Sequence, residues 1–127
     1  MASNPGYTGV NNSQLVRENF VYEDERGRLG STSTLMLNGP GPINGTRVTL
    51  SAYIHNTNVS QVRTFTLRMT LKDDSDDNVS SDFFYRALQP KEVFILPLII
   101  VKGTERLKGF ADVTDEVNFN ISYKEEI

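Results

Sequence analysis

An all-β, antiparallel sandwich of seven to eight short strands, jelly-roll-like in arrangement, is the fold this sequence predicts, on three observations. Apolar and polar residues alternate with a period of two at Val48–Ile54, Phe65–Leu71 and Val117–Tyr123, the spacing of a strand with one dry face. Clusters of Gly, Pro, Asn and Asp interrupt the chain roughly every ten residues, the rhythm of short strands joined by turns. No stretch carries a helical period long enough to compete.

Taken in chain order, residues 1–14 are Gly, Asn, Ser and Pro with little to bury. They are expected to form a flexible or partner-bound arm, and residues 15–127 the sandwich domain. From Gln14 to Asp24, Leu15, Val16, Phe20 and Tyr22 mark a first short strand, and Glu25 to Ser31 reads as a turn before Thr32 to Leu37. Asn38 to Gly45 holds three glycines and two prolines in eight residues, which no helix or central strand absorbs. In the next strand Val48, Leu50, Ala52 and Ile54 are expected on the dry face and Arg47, Thr49, Ser51, Tyr53 and His55 on the wet one. After the polar turn Asn56–Gln61, Phe65, Leu67, Met69 and Leu71 form a second dry face opposite Thr64, Thr66, Arg68 and Thr70, and the two strands are expected to pair as a hairpin.

The acidic run Asp73, Asp74, Asp76 and Asp77 closes that strand with a solvated turn, and Asp82 to Leu88 resumes an extended reading. Val93 to Val101 is a continuous apolar run such as a strand covered on both faces carries, but Pro97 removes a ladder donor in its middle. An edge position, a bulge or a break is therefore expected there. Lys102 to Thr104 turns the chain into Glu105–Val113. In the last strand Val117, Phe119, Ile121 and Tyr123 face in while Asn118, Asn120, Ser122 and Lys124 face out.

Composition narrows the function. The 127 residues suit one domain, and 38% apolar content with seven Phe and five Tyr suffices for a core. A net charge of −3 and scattered basic residues disfavour nucleic acid. With no cysteine and a single histidine, His55, neither a disulfide framework nor a zinc cluster is available, and no cofactor is expected. The N-terminal residues lack a basic segment followed by an apolar run, and Val93 to Val101 is too short to span a bilayer, so neither a signal peptide nor a membrane partner is expected. The Asn-x-Ser/Thr triplets at Asn11, Asn44, Asn58, Asn78 and Asn120 then read as by-products of composition.

Candidate chemistry is sparse. Asp74, Asp76 and Asn78 reproduce the opening of a calcium loop, but Val79 stands where that motif needs glycine and Tyr85 where it needs glutamate. A solvated turn is the better reading, and no metal is expected. Gly39, Gly41 and Gly45 precede no helix and no lysine suited to phosphate, so they are loop. Exposed aromatics carry more information. Tyr53 alternates onto the wet face, and of the consecutive Phe83, Phe84 and Tyr85 at least one points away from the core. Such rings are covered by a loop or subunit, anchor a protein interface, or stack on sugars.

The segments Val48–Ile54, Phe65–Leu71, Leu88–Val101, Gly103–Asp112 and Val117–Tyr123 combine two alternating strands, an apolar run, Gly-Thr-Glu-Arg-Leu, an Ala-Asp step and a final alternating strand. In this the chain resembles small β-sandwich virion structural proteins of tailed bacteriophages. The resemblance implies a non-enzymatic capsid decoration (cement) protein made in the host bacterial cytoplasm, or one at the neck, tail or fibre, with no catalytic residues. It also implies contacts with the major capsid protein or neck and tail proteins, and a symmetric homo-oligomer such as a trimer. Asp73 to Asp82 departs from the pattern by lengthening the middle hairpin. The interface residues expected are Tyr7, Val10, Tyr53, Phe83, Phe84 and Tyr85. A carbohydrate-binding β-sandwich is the alternative from another class, and a small hydrolase with a carboxylate pair is the third.

A polar arm adds contact area when it orders on a neighbour. Deleting residues 1–14 should therefore leave a cooperative thermal melt intact and weaken binding to assembled particles. An unfolded truncation would exclude the arm as a separate segment.

Overall fold

The computed structural model describes residues 20–41, 45–71 and 81–126. Among them there is no α-helix and there are nine strand segments: β1 (Phe20–Arg28), β2 (Thr34–Asn38), β3 (Thr46–Asn56), β4 (Arg63–Leu71), β5 (Asp82–Leu88), β6 (Val93–Ile95), β7 (Ile100–Lys102), β8 (Glu105–Ala111) and β9 (Val117–Glu126). The first sheet runs β1-β9-β3, with β6 and β7 both on the far edge of β3, and the second runs β2-β8-β4-β5. All pairings are antiparallel.

The pairs are nested. β1 meets β9, β2 meets β8, β3 meets β6 and β7, and β4 meets β5. The chain is thus one long hairpin rolled so that successive rungs alternate between two sheets, which is a jelly roll. β6 and β7 hold one register on β3, Tyr53 opposite Ile95 and Val48 opposite Ile100. They are one edge strand broken at Pro97, so the nine segments fill eight strand positions. The missing N–H of proline is tolerated where pairing is one-sided.

The core lies between the sheets. β9 follows the expected alternation, with Val117, Phe119, Ile121 and Tyr123 buried, and Phe65, Leu67 and Leu107 meet them from the second sheet. Four local expectations change. The stretch read as a turn at Glu25–Ser31 is strand through Arg28, because β1 pairs with β9 along its whole length. Gly27 supplies clearance there rather than a turn, since a Cβ at this position would stand 3.1 Å from the Phe119 ring.

Second, β3 slips register against β9 between Thr49 and Ser51. One extra residue reverses the expected faces before it, whereas Ala52 and Ile54 after it are buried as expected. Thr49 is therefore buried, its Oγ1 accepting from the Ile99 N–H at 2.9 Å, while Leu50 is 54% exposed. Third, Thr66, Arg68 and Thr70 on the expected wet face of β4 are buried and Leu71 is exposed. The stem of Arg68 is held by its ion pair with Asp82 at 2.6 Å and by stacking over Phe110.

Fourth, β3 and β4 do not form a hairpin. Both edges of β3 are taken, by β9 and by β6 and β7, so the chain arches to the other sheet. Asn56 ties the arch from a fully buried position. Its Nδ2 donates to the carbonyls of Gln61, Leu88 and Gln89 at 2.9, 3.2 and 3.1 Å, and its Oδ1 accepts from the Asn58 N–H at 3.0 Å. One amide thereby joins the β3–β4 arch to the β5–β6 corner, and its backbone N–H donates to Glu92.

Truncating Asn56 to alanine strips partners from the buried Leu88 carbonyl and from the part-buried groups around it, at about 1–3 kcal/mol for each buried group left unsatisfied. Asn56→Ala should lose about 3 kcal/mol in urea unfolding. A loss below about 1 kcal/mol would show that water replaces the amide.

Candidate functional site

The outer face of the first sheet grades from polar to apolar across its strands. One row reads Arg28, Asn118, His55 and Val93, and the next reads Arg26, Asn120, Tyr53 and Ile95. On β3 and β9 these residues alternate with buried neighbours, and their cross-strand partners on β1 and β6 share that solvent side. At the polar end, Arg26, Arg28, Tyr53, His55, Asn118 and Asn120 line a shallow groove of about 280 Å³. Asn118 Oδ1 is shielded there with no hydrogen-bond partner among the described residues.

At the other end lies an apolar strip. Val93, Ile95, Leu98 and Ile100 point outward along the edge strand, and Leu50 joins them from β3 because of its bulge. Phe94, Leu96, Ile99 and Val101 point inward from the same run. The apolar run is thus not covered on both faces. Of the large apolar residues exposed among those described, these five share one edge of one sheet.

The second sheet shows a smaller exposed pair. Phe83 and Tyr85 point outward from β5, whereas Phe84 between them turns inward. Phe84 lies 5.8 Å from both Phe65 and Phe94, so three phenylalanines fill the flank where β5 passes to β6. The Arg86 guanidinium caps this cluster 4.2 Å above Phe94 and pairs with Glu92 at 3.3 Å. Of the residues expected at an interface, Phe83 and Tyr85 are exposed, Tyr53 is half-buried on the graded face and Phe84 is in the core cluster. Tyr7 and Val10 lie outside the described residues, as do the calcium-loop positions Asp74, Asp76 and Asn78.

Sequence reasoning missed the strip. It assigns Leu50 to the dry face, and although Pro97 leads it to an edge position, a bulge or a break in Val93–Val101, which the structure shows, it does not carry that to an exposed outer side. The available signal was Pro97, which placed the run on an edge where its outward side has no neighbouring strand. Among the described residues no three His, Asp or Glu side chains are gathered as metal ligands.

Two surface carboxylates are tuned by their partners. Glu116 is held below the usual carboxylate range, first by its bond with Arg63 at 2.7 Å and then by the Asn58 amide. Glu92 is lowered by the Gln89 N–H at 2.8 Å and then by Arg86.

No family model matches this chain, and no curated protein sequence does. Solved structures that it is similar to include a protein of Bacillus endospore appendages, which form disulfide-linked pili (6% identity, 85% of this chain and 88% of that one, TM-score 0.49). Another is a pentameric capsid protein from metagenomic phage sequences (14% identity, 86% and 60%, TM-score 0.32). A third is the Israel acute paralysis virus pentamer (13% identity, 98% and 74%, TM-score 0.39). These likenesses are too distant to assign a role, so function is read from this chain's own surface.

A carboxyl whose pKa is depressed on folding contributes stability above its unfolded pKa and loses it as pH falls through the folded value. Urea midpoints should therefore drop on acidification from about pH 5 to about pH 3. The double variant Glu92→Gln, Glu116→Gln should drop less than the parent over that interval. Equal slopes would remove these two groups from the acid response.

Proposed function

We propose that this chain is a non-enzymatic, capsid-type structural protein of a virion that works through protein contacts as a homo-oligomer. The carrying observation is the exposed apolar strip on the outer face of a jelly-roll sheet, a surface of the kind that marks a protein contact. Jelly rolls recur in viral capsids and in lectins, so the fold supplies the setting and the surface supplies the function. The more specific reading is decoration, or cement, of a bacteriophage head through the major capsid protein. A neck, tail or fibre position is the nearest alternative and would use the same surfaces. Phe83, Tyr85 and the arm at residues 1–14 are the candidates for contact with those other virion proteins.

A second reading rests on the groove. Tyr53 with Arg26, Arg28, Asn118 and Asn120 combines a ring, cationic donors and amides, which suits an acidic sugar. Glycan-array binding abolished by Tyr53→Ala would favour it.

The deciding measurement is the native mass of the chain alone, and its co-sedimentation with heads from the source virus from which it has been stripped. The structural reading expects saturable binding, with heads that resist heat better when the chain is present. Absence of binding to heads, necks and tails would remove the virion role.

A further inference from the structure

Resting on that reading, we infer that Val93, Ile95, Leu98 and Ile100 form a contact by which two copies of this chain pair across a two-fold axis. The strip has an internal symmetry. Along the edge strand the side chains alternate until Pro97 and Leu98, two successive exposed residues, after which the alternation resumes. The outward apolar positions are therefore separated by two, three and two residues. Read backwards, the strip has the same spacing.

That pattern selects the occupant. Laid antiparallel on a second copy, Val93 falls against Ile100 and Ile95 against Leu98, so every apolar position meets another. A two-fold interface requires a patch complementary to its own reverse, whereas an unrelated partner imposes no such spacing. Leu50 beside this segment and Tyr53, paired with Ile95, widen the patch on both copies. Ile95 and Leu98, at the middle of the strip, are also its most exposed members at 67% and 66%. Burial there removes the most apolar surface, as at the centre of other interfaces. Five such side chains offer several hundred Å² of apolar surface, on the order of half the roughly 800 Å² that each partner buries in a stable pair. Tyr53 and the polar rim supply the remainder.

The contact is side chain to side chain rather than a continued sheet. Pro97 has no N–H at mid-strand, and the Lys102 N–H is already donated to the Glu105 carboxylate at 2.9 Å. A two-fold contact closes at two copies, so a trimer or a shell needs another surface as well. Phe83 and Tyr85 are available for that.

Sedimentation velocity at tens of micromolar should show a dimer for the native chain and a folded monomer for the double variant Ile95→Asp, Leu98→Asp, with association weakened at least about 100-fold. If the aspartates unfold the chain, Ile95→Thr with Leu98→Thr keeps strand propensity and should still dissociate it. The chain has no cysteine, so Ile95→Cys and Leu98→Cys give single thiols. A short bismaleimide should link the mixture of the two variants in higher yield than either alone. A native monomer, equal yields in the three reactions, or an oligomer indifferent to the aspartates would overturn the pairing. An indifferent oligomer that still binds heads would leave the virion reading standing. A strip-dependent dimer that binds no virion part would support the pairing and remove that reading.

Discussion

The ladder between β3 and β9 is the contact on which the rest of the structure depends. It joins Thr46–Asn56 to Val117–Glu126 and puts the second half of the chain over the first. Once formed, it leaves β1 only the far edge of β9 and leaves the run at 93–102 only the far edge of β3. The β3–β4 arch follows, since neither flank of β3 has room for a hairpin partner. Because these pairs lie far apart in sequence, loop closure must be paid before the ladder returns anything, and folding of such a topology is slow.

The same ladder creates the surface assigned to function. Its bulge buries Thr49 and turns Leu50 outward beside the exposed side of the edge strand. Without that slip Leu50 would enter the core and the outer face would carry a narrower apolar band. A single irregularity in hydrogen-bond register therefore links packing to recognition, as bulges at sheet edges commonly do by re-aiming a side chain. Arg47 helps fix the end of this ladder, pairing with Glu125 across the rung at 2.7 Å.

How far the sequence could be read follows from which signals are local. β9 is legible because its alternation is unbroken from Val117 to Tyr123 and one face is dry. β5 is also legible in its bounds, Asp82–Leu88, after the acidic run that precedes it. β3 is legible in place and in its faces from Ser51 to His55, but not at Thr49 and Leu50, because the register slip is made by a partner some seventy residues away and leaves no local mark there. The buried polar face of β4 was illegible for a related reason. Thr66, Arg68 and Thr70 look solvated in sequence, and only Asp82 and Phe110 brought alongside explain how the stem of Arg68 is kept from water. Asn56 reads as the first residue of a polar turn, and its role requires carbonyls from the β3–β4 arch and from the end of β5 and the residue after it.

The exposed strip also raises a question of survival, since a flat apolar edge invites uncontrolled strand addition. The chain answers it locally. Pro97 deletes the donor at the middle of the edge, Glu105 occupies the Lys102 N–H, and Lys91 with its left-handed backbone and the charges of Arg86 and Glu92 guard the start of β6. These devices interrupt the row of backbone donors along the edge while leaving the side chains of Ile95 and Leu98 open. An edge that needed only protection would carry lysine or glutamate at those positions. Retaining isoleucine and leucine there, beside a proline that interrupts the donor row, is the arrangement expected of a surface that seeks a limited and specific partner.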